Sequence, residues 1–319
     1  MNRNVTVVIP ILNEADSLAA LLLGVKSQTL RPTELIIVDA GSTDGSVPLV
    51  EAWWRREQWE GAECRVLSVP GALPGAGRNA GVRAASNEWI VFLDAGIEPQ
   101  SDWLEQLWAH AARRSSPAVF GVCQFLAEGI FERTLCALSQ GQGSLHSAVP
   151  ASLFHLQVFE TVGYFSERLW AAEDLAWSQR VVDHFGPREI CEDAVVRYTH
   201  FPSTWQCASR KWRLAEYYSV LARVRGRQHM LYLAGLPLIY GLLFSGTMAG
   251  VGLFAGYLFV RGVCDPVRRS RERPWYGCQP AALAVAPALA IVLDLSKFIG
   301  ILQAYGDLLR SHGNVWACE

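Results

Sequence analysis

The sequence predicts an α/β fold: a doubly wound, mainly parallel sheet followed by hydrophobic, membrane-associated helices. Three observations lead there. Two short β-branched runs, Val5–Ile9 and Glu34–Val38, each close on turn residues, as buried parallel strands do. Between them Leu18, Leu21, Leu22 and Val25 recur at helical spacing, so the unit is strand–helix–strand. Far downstream, Leu231 to Val260 holds no charged residue and is long enough to cross a bilayer.

The elements follow in order. A helix is predicted over Val47–Trp59, a third strand over Cys64–Val69 and a Gly/Pro-rich loop over Pro70–Gly77. A helical stretch from Arg78 to Ala85 comes next, then a fourth strand, Trp89–Leu93, that stops at Asp94. Ser101–Glu105 opens a helix with an acidic first turn, and Ala118–Phe125 reads as a further strand. The repeated unit implies a parallel sheet with helices on both faces. Gln140–Ser144 reads as a loop, mobile over the site; a helix is expected from Glu173 through Val181, and a short β-like run ends at His200.

Composition narrows the class. A formal net charge of −2 gives no reason to expect nucleic acid as a partner. Mean hydropathy is positive, with the apolar residues concentrated towards the C-terminus. The eight cysteines are scattered without Cys-x-x-Cys spacing, which fits buried thiols in a reducing compartment. The chain enters its first strand at once, without a signal-peptide pattern, so the globular part is expected to be cytoplasmic. Three regions are expected: 1–205, a basic amphipathic helix over 206–228, and a hydrophobic helical region over 229–319.

In an open α/β sheet ligands sit beyond the carboxyl ends of the strands. Glu14, Asp39 and Asp94 therefore fall on one rim. Pro10-x-x-Asn13-Glu14, followed by Val38-Asp39-x-Gly41-Ser42-Thr43-Asp44-Gly45-Ser46, resembles the nucleotide-sugar site of family 2 glycosyltransferases. The resemblance covers about residues 5 to 210. It implies the GT-A fold, inverting transfer from a nucleotide diphosphate sugar, and a donor site including Pro10, Glu14, Asp39, Arg78 and Asp94. It also implies a catalytic base in Glu173-Asp174, with Asp174 taking the acceptor proton and Glu173 orienting base or acceptor.

One departure from the family pattern concerns metal. Where an Asp-x-Asp motif binds Mg²⁺ or Mn²⁺ on the diphosphate, this chain reads Asp94-Ala95-Gly96, which lacks the second carboxylate. If metal binds, Asp94 and His200 are the expected ligands. Gly75-x-Gly77 resembles a dinucleotide fingerprint, but two strand–helix units precede it. Arg78-Asn79 matches the family's Arg-Asn, placing Arg78 near the diphosphate.

The tail is read from hydropathy alone. Ser209 to Arg227 is predicted to be a basic helix with Leu214, Tyr217, Leu221 and Val224 on one face. Arg210 and Lys211 are candidate cations for the donor diphosphate or for an anionic membrane surface. Six glycines from Gly235 to Gly256 (with Pro237) allow close helix packing or a break in the apolar run. Ala281 to Leu293 is a second apolar run, continuing past Asp294 and Lys297 to Leu302, and the arginine-rich loop Arg261–Gly277 is expected to stay cytoplasmic, which favours a re-entrant hairpin. A lipid-linked or cell-envelope glycan acceptor follows from that location. The rival readings are a nucleotidyltransferase on a similar sheet and a non-catalytic membrane scaffold.

Overall fold

The computed structural model describes residues 3–57, 59–271 and 281–311. The chain forms two compact units, one of Met1–Gln124 with Leu145–Thr199, the other of Phe125–Ser144 with His200–Glu319.

The first unit begins β1 (Val5–Ile11), α1 (Ala15–Lys26), β2 (Glu34–Asp39), α2 (Ser46–Glu57), β3 (Glu63–Ser68), α3 (Pro74–Ala84) and β4 (Trp89–Phe92). It continues through β5 (Ile97–Pro99), α4 (Trp103–Arg114) and β6 (Ala118–Phe125). After the excursion of residues 125–144 come β7 (Leu145–Ser147), β8 (Leu153–His155), α6 (Leu156–Val162), α7 (Glu173–Phe185) and β9 (Glu189–Tyr198), α5 (Ile130–Ser139) lying in the excursion.

Strand order is β3-β2-β1-β4-β8-β6-β9-β5, with β7 on β6. The β3-β2-β1-β4 half is parallel, in register Thr6↔Glu34 and Val8↔Phe92. The β4–β8, β6–β8, β6–β7 and β5–β9 pairs are antiparallel, so the sheet is mixed. Hydropathy could not show this, because β8 and β7 are three-residue strands inside a stretch without periodicity. Every residue of Val5–Ile9 is fully buried, so both faces of the central strand are covered and the sheet is doubly wound. On one face Val8, Ile36 and Phe92 pack against Val82 of α3, Phe159 of α6 and Trp177 of α7.

Two local expectations are corrected here. Helix α3 starts at Pro74, not Arg78, and incorporates Gly75 and Gly77 of the expected loop. Pro74 sits at the first helical position, where its missing N–H costs nothing. The glycines are needed for close approach: a methyl on Gly75 would collide with the Ser166 carbonyl, and one on Gly81 with the Val8 side chain.

In the second unit, α8 (Trp205–Leu221) is capped by Thr204, whose hydroxyl accepts the Cys207 N–H at 3.3 Å. It buries Ala208, Trp212, Glu216, Ser219 and Val220 rather than the face predicted from Leu214, Tyr217 and Leu221. It also ends before Arg223 and Arg225, which adopt left-handed backbone (φ 55° and 59°). The uncharged run then divides into α9 (Gly226–Phe244) and α10 (Met248–Phe259), broken at Gly246 (φ 70°). Of its glycines, Gly250 is the one packed closely against the partner helix, at the Leu242 carbonyl; Gly235, Gly241, Gly252 and Gly256 face open space.

The expected basic loop is helical through Arg269. α10 continues through a π-turn, Val260–Cys264, into α11 (Asp265–Arg269); residues 272–277 and Cys278 lie outside the described residues. Arg261 is drawn inward by Asp294 and Asp265. The second apolar run is the first half of α12 (Ala281–Ser311), where Leu289, Ala290 and Leu293 pack on Leu135, Leu138 and Trp212. By length and composition Met248–Arg269 and Ala284–Arg310 could each cross a membrane; the first is 11% buried in the protein, the second 50%. Gln140–Ser144 is anchored rather than mobile: Gln142 is buried and its N–H donates to Ser270 Oγ at 3.0 Å.

Candidate active site

The carboxyl ends of β1, β2 and β4 carry the predicted rim. Pro10 pairs in register with Val38, and Asp39 closes β2. The Asp39 carboxylate, 6% exposed, accepts the N–H groups of Ser42 (2.9 Å) and Gly41 (3.2 Å), folding the Asp-Ala-Gly-Ser-Thr turn back on itself. Asn13 (φ 57°) accepts the Thr43 N–H at 2.8 Å, locking the β1 loop to the β2 loop. Glu14 accepts from Ser17 Oγ at 2.9 Å, and its own N–H donates to Ser46 Oγ at 2.9 Å.

Asp44 and Ser46, members of the motif to which the sequence assigns no separate role, tie the two helix starts together. Asp44 accepts from Ser46 Oγ (2.6 Å) and from the Ala15 N–H (2.9 Å), and these hydrogen bonds hold its carboxyl below the ordinary range. The signal was present: a short acidic side chain just before a helix is the residue type that caps exposed N–H groups.

Arg78 is the centre of the site. It is 4% exposed in the second turn of α3. Nη2 donates to Asp94 Oδ1 at 2.6 Å, just beyond β4, and Nη1 donates to Glu173 Oε1 at 2.5 Å at the start of α7. The Phe165 ring lies 5.8 Å from the guanidinium carbon. Burial works against the Arg78 charge, and Asp94, Glu173 and Asp174 more than reverse it, so its pKa is raised. For Glu173 burial pushes the carboxyl up, Arg78 pulls it down and Asp174 pushes it up again; the net direction is upward. Arg78 Nε is buried without a hydrogen-bond partner among the described residues.

The neighbouring Asn79 is fully buried and straps the 163–167 loop. Its Nδ2 donates to the Phe165 carbonyl (2.9 Å) and to Glu167 (2.8 Å), while its Oδ1 accepts the Phe165 N–H (3.0 Å). That loop leads to Ala172, whose left-handed backbone (φ 65°) starts α7 and sets Glu173 inward. Asp174 is half-buried, with Oδ1 accepting the Leu175 N–H at 2.7 Å. Glu173 is therefore sealed by Arg78, whereas Asp174 is the accessible carboxylate of the pair. Cys123 on β6 feels the same cluster. Burial, then the Asp94 charge, pushes its thiol up to about 12, so it is an inert buried group.

The structure thus brings Arg78, Asp94 and Glu173 into direct contact, with Asp174 beside them and Pro10, Glu14 and Asp39 on the same sheet edge. Arg210, Lys211 and His200 belong to the other unit, all exposed, with Lys211 Nζ 5.6 Å from the Trp212 ring. Enzymes of the GT-A family often use a divalent metal. Around Asp94 the donor set is one carboxylate with one oxygen on Arg78, and Gly96 (φ 80°) supplies no second ligand. Among the described residues no three His, Cys, Asp or Glu side chains converge on one point. This set does not fit an ion held by the protein alone.

Residues 6–147 match the family model described as glycosyl transferase family 2. The pre-mycofactocin glycosyltransferase of Mycobacterium tuberculosis is 28% identical over 274 residues, which cover 81% of this chain and 55% of that protein. Glycosyltransferase AglE of Haloferax volcanii is 28% identical over 189 residues, covering 56% of this chain and 61% of that one. The chain spans between half and two thirds of the length of these curated relatives. The crystal structure of S. aureus TarS 1–349 in complex with UDP-GlcNAc shares the fold, with TM-score 0.50, 15% identity, and coverage of 95% of this chain and 92% of that one. Over residues 6–147 the chain is thus similar to family 2 glycosyltransferases, and its fold is the GT-A type seen in TarS.

Proposed function

We propose that this protein is an inverting glycosyltransferase that moves a sugar from a nucleotide diphosphate donor to a lipid-linked or cell-envelope glycan. Its catalytic unit works on the cytoplasmic side of the membrane. One observation carries the reading: Arg78 clamps Asp94 and Glu173 together beyond the strand ends and leaves Asp174 accessible beside them. The TarS complex contains a UDP sugar, which makes UDP the first nucleotide to test here.

In this reading Asp39 and the turn it folds receive the donor's nucleoside, with Pro10 and Glu14 lining that edge. Asp94 faces the ribose and diphosphate end. Asp174 accepts the proton of the acceptor hydroxyl as that oxygen attacks the anomeric carbon. The bond from that carbon to the diphosphate oxygen breaks on the opposite face, its electron pair leaving with the nucleoside diphosphate. Configuration inverts, and the leaving anion needs no general acid. Glu173 and Arg78 hold the base in place, and the positive field of Arg78 lies at the diphosphate end. Arg210 and Lys211 are read as further cations for an anionic substrate or membrane surface.

Product analysis with a panel of nucleotide sugars tests this reading. Release of nucleoside diphosphate together with a glycosylated acceptor supports it. Pyrophosphate release from a nucleoside triphosphate would replace it with nucleotidyl transfer.

A further inference from the structure

Among the described residues of the second unit, the α9–α10 hairpin stands out as an uncharged, exposed surface. It carries no charge from Leu231 to Val260. At its tip Phe244 is 82% and Met248 86% exposed, on either side of the Ser245–Thr247 turn. Side chains of that size left in water at a helix end forfeit their burial free energy unless something covers them.

The turn between them turns its polar groups inward. Ser245 Oγ donates to the Leu242 carbonyl at 2.6 Å, and Thr247 Oγ1 accepts the Gly250 N–H at 3.1 Å. The backbone N–H groups of Ser245, Gly246 and Val251 donate to Gly241, Leu243 and Thr247 carbonyls. Backbone in hydrocarbon must be satisfied internally, and these bonds supply part of that requirement. The base of the hairpin is the reverse. Arg223, Arg225 and Arg227 are exposed at the start of α9, and Arg268 at the return end, which complements anionic lipid headgroups.

Length decides how the hairpin sits. The uncharged part of each arm, residues 231–244 and 248–260, rises about 20 Å, against a hydrocarbon core of about 30 Å. With only these uncharged segments in hydrocarbon, the tip reaches past the first leaflet's surface but not to the far headgroups.

We propose that the α9–α10 hairpin is a monotopic anchor, inserted tip-first into an anionic bilayer from the side that faces its arginine base. This inference rests on the membrane reading given above and extends it to a named segment and a depth. The apolar half of α12 is excluded from the anchor because Ala282, Ala286, Leu289, Ala290 and Leu293 are already fully buried in the protein.

The test is flotation of the full chain with phosphatidylcholine vesicles containing phosphatidylglycerol, followed by alkaline carbonate. The wild type should float and resist carbonate. Phe244→Asp with Met248→Asp should lower the floating fraction at least about tenfold while nucleotide affinity holds, because a carboxylate within hydrocarbon costs several kcal/mol. Leu309→Asp, an exposed apolar position on α12, should float as the wild type does. A double variant that floats normally overturns the anchor and leaves the membrane reading standing. A wild type that stays soluble, or dimerises through the hairpin instead, removes both. Release by carbonate reduces the contact to surface adsorption and overturns insertion. If the double variant fails to fold, an environment-sensitive dye on Ala249→Cys, with the accessible cysteines replaced, keeps the question open to decision. Quenching by nitroxide at the bilayer centre supports insertion, and a spectrum typical of water overturns it.

Discussion

Arg78 and Arg261 each hold two carboxylates, and the difference between their surroundings separates a site from a strut. Arg261 gives Nε and Nη2 to Asp294 at 2.7 Å each and Nη1 to Asp265 at 2.8 Å, so every edge of its guanidinium is used. Asp294 is closed over by the hydroxyls of Tyr232 (3.1 Å) and Tyr257 (3.0 Å). Arg78 uses two nitrogens, keeps Nε buried without a partner, and holds an Asp94 whose side chain is 39% exposed. A closed network is complete without a ligand. An open one at the end of parallel strands, with a polar atom unsatisfied, is where a substrate is expected.

The largest effect tests the closed network. Arg261→Met strips Asp294 of its hydrogen-bonded cation, leaving only Lys297 at 3.9 Å among the described residues, and should cost about 3–5 kcal/mol of stability. Turnover per folded molecule, measured at a temperature where the variant stays folded, should match the wild type. A selective loss of turnover would make Arg261 part of the site and erase the contrast.

Arg78→Lys works from the other side. A lysine keeps the charge but cannot bridge two carboxylates with a planar fork. Transfer should fall about 10²-fold, equivalent to roughly 2.7 kcal/mol. Near-normal kinetics with lysine would show that charge alone is sufficient and that the bridging geometry is incidental.

Asp39→Ala should act on binding rather than chemistry, because the donor's nucleoside is remote from the reacting carbon. Calorimetry with UDP should show affinity weakened by about 1–2 kcal/mol, or roughly five- to thirtyfold. Unchanged affinity would confine Asp39 to folding its own turn, a role its bonds to Gly41 and Ser42 already give it.

The smallest expected effect concerns Gly96. Gly96→Asp restores the missing carboxylate and should strengthen dependence of transfer on Mn²⁺ or Mg²⁺. The backbone there is left-handed at φ 80°, so the same substitution should cost about 1 kcal/mol of stability. Metal titration of activity beside thermal unfolding separates the two consequences. An unaltered metal response would mean that position 96 does not face the diphosphate.

Much of the first unit was legible because its signals are local. The β-branched runs of β1, β2 and β4 stop at turn residues, and their ends lie on one rim by topology alone. The Arg78 contacts were not legible: Asp94 is 16 residues away in sequence and Glu173 is 95. Only the fold shows that both of its outer nitrogens are already taken. In the second unit hydropathy treated Leu231–Val260 and Ala281–Leu302 alike. It could not see that one packs against α5 and α8 while the other leaves Phe244 and Met248 in the open. The face of α8 was misread for a related reason. Glu216 and Ser219 are buried there because they bond His229 and each other, and no apolar periodicity reports a polar group satisfied by a partner.

Asp174→Asn tests the central claim most directly, since the amide keeps the shape of the side chain and cannot take up a proton. Steady-state transfer and donor affinity should be measured on the same preparation. Transfer falling by a factor of about 10²–10⁴ with donor affinity unchanged is the predicted result. Turnover near the wild-type rate would contradict the account, because the accessible carboxylate beside the Arg78 clamp would then not be the base.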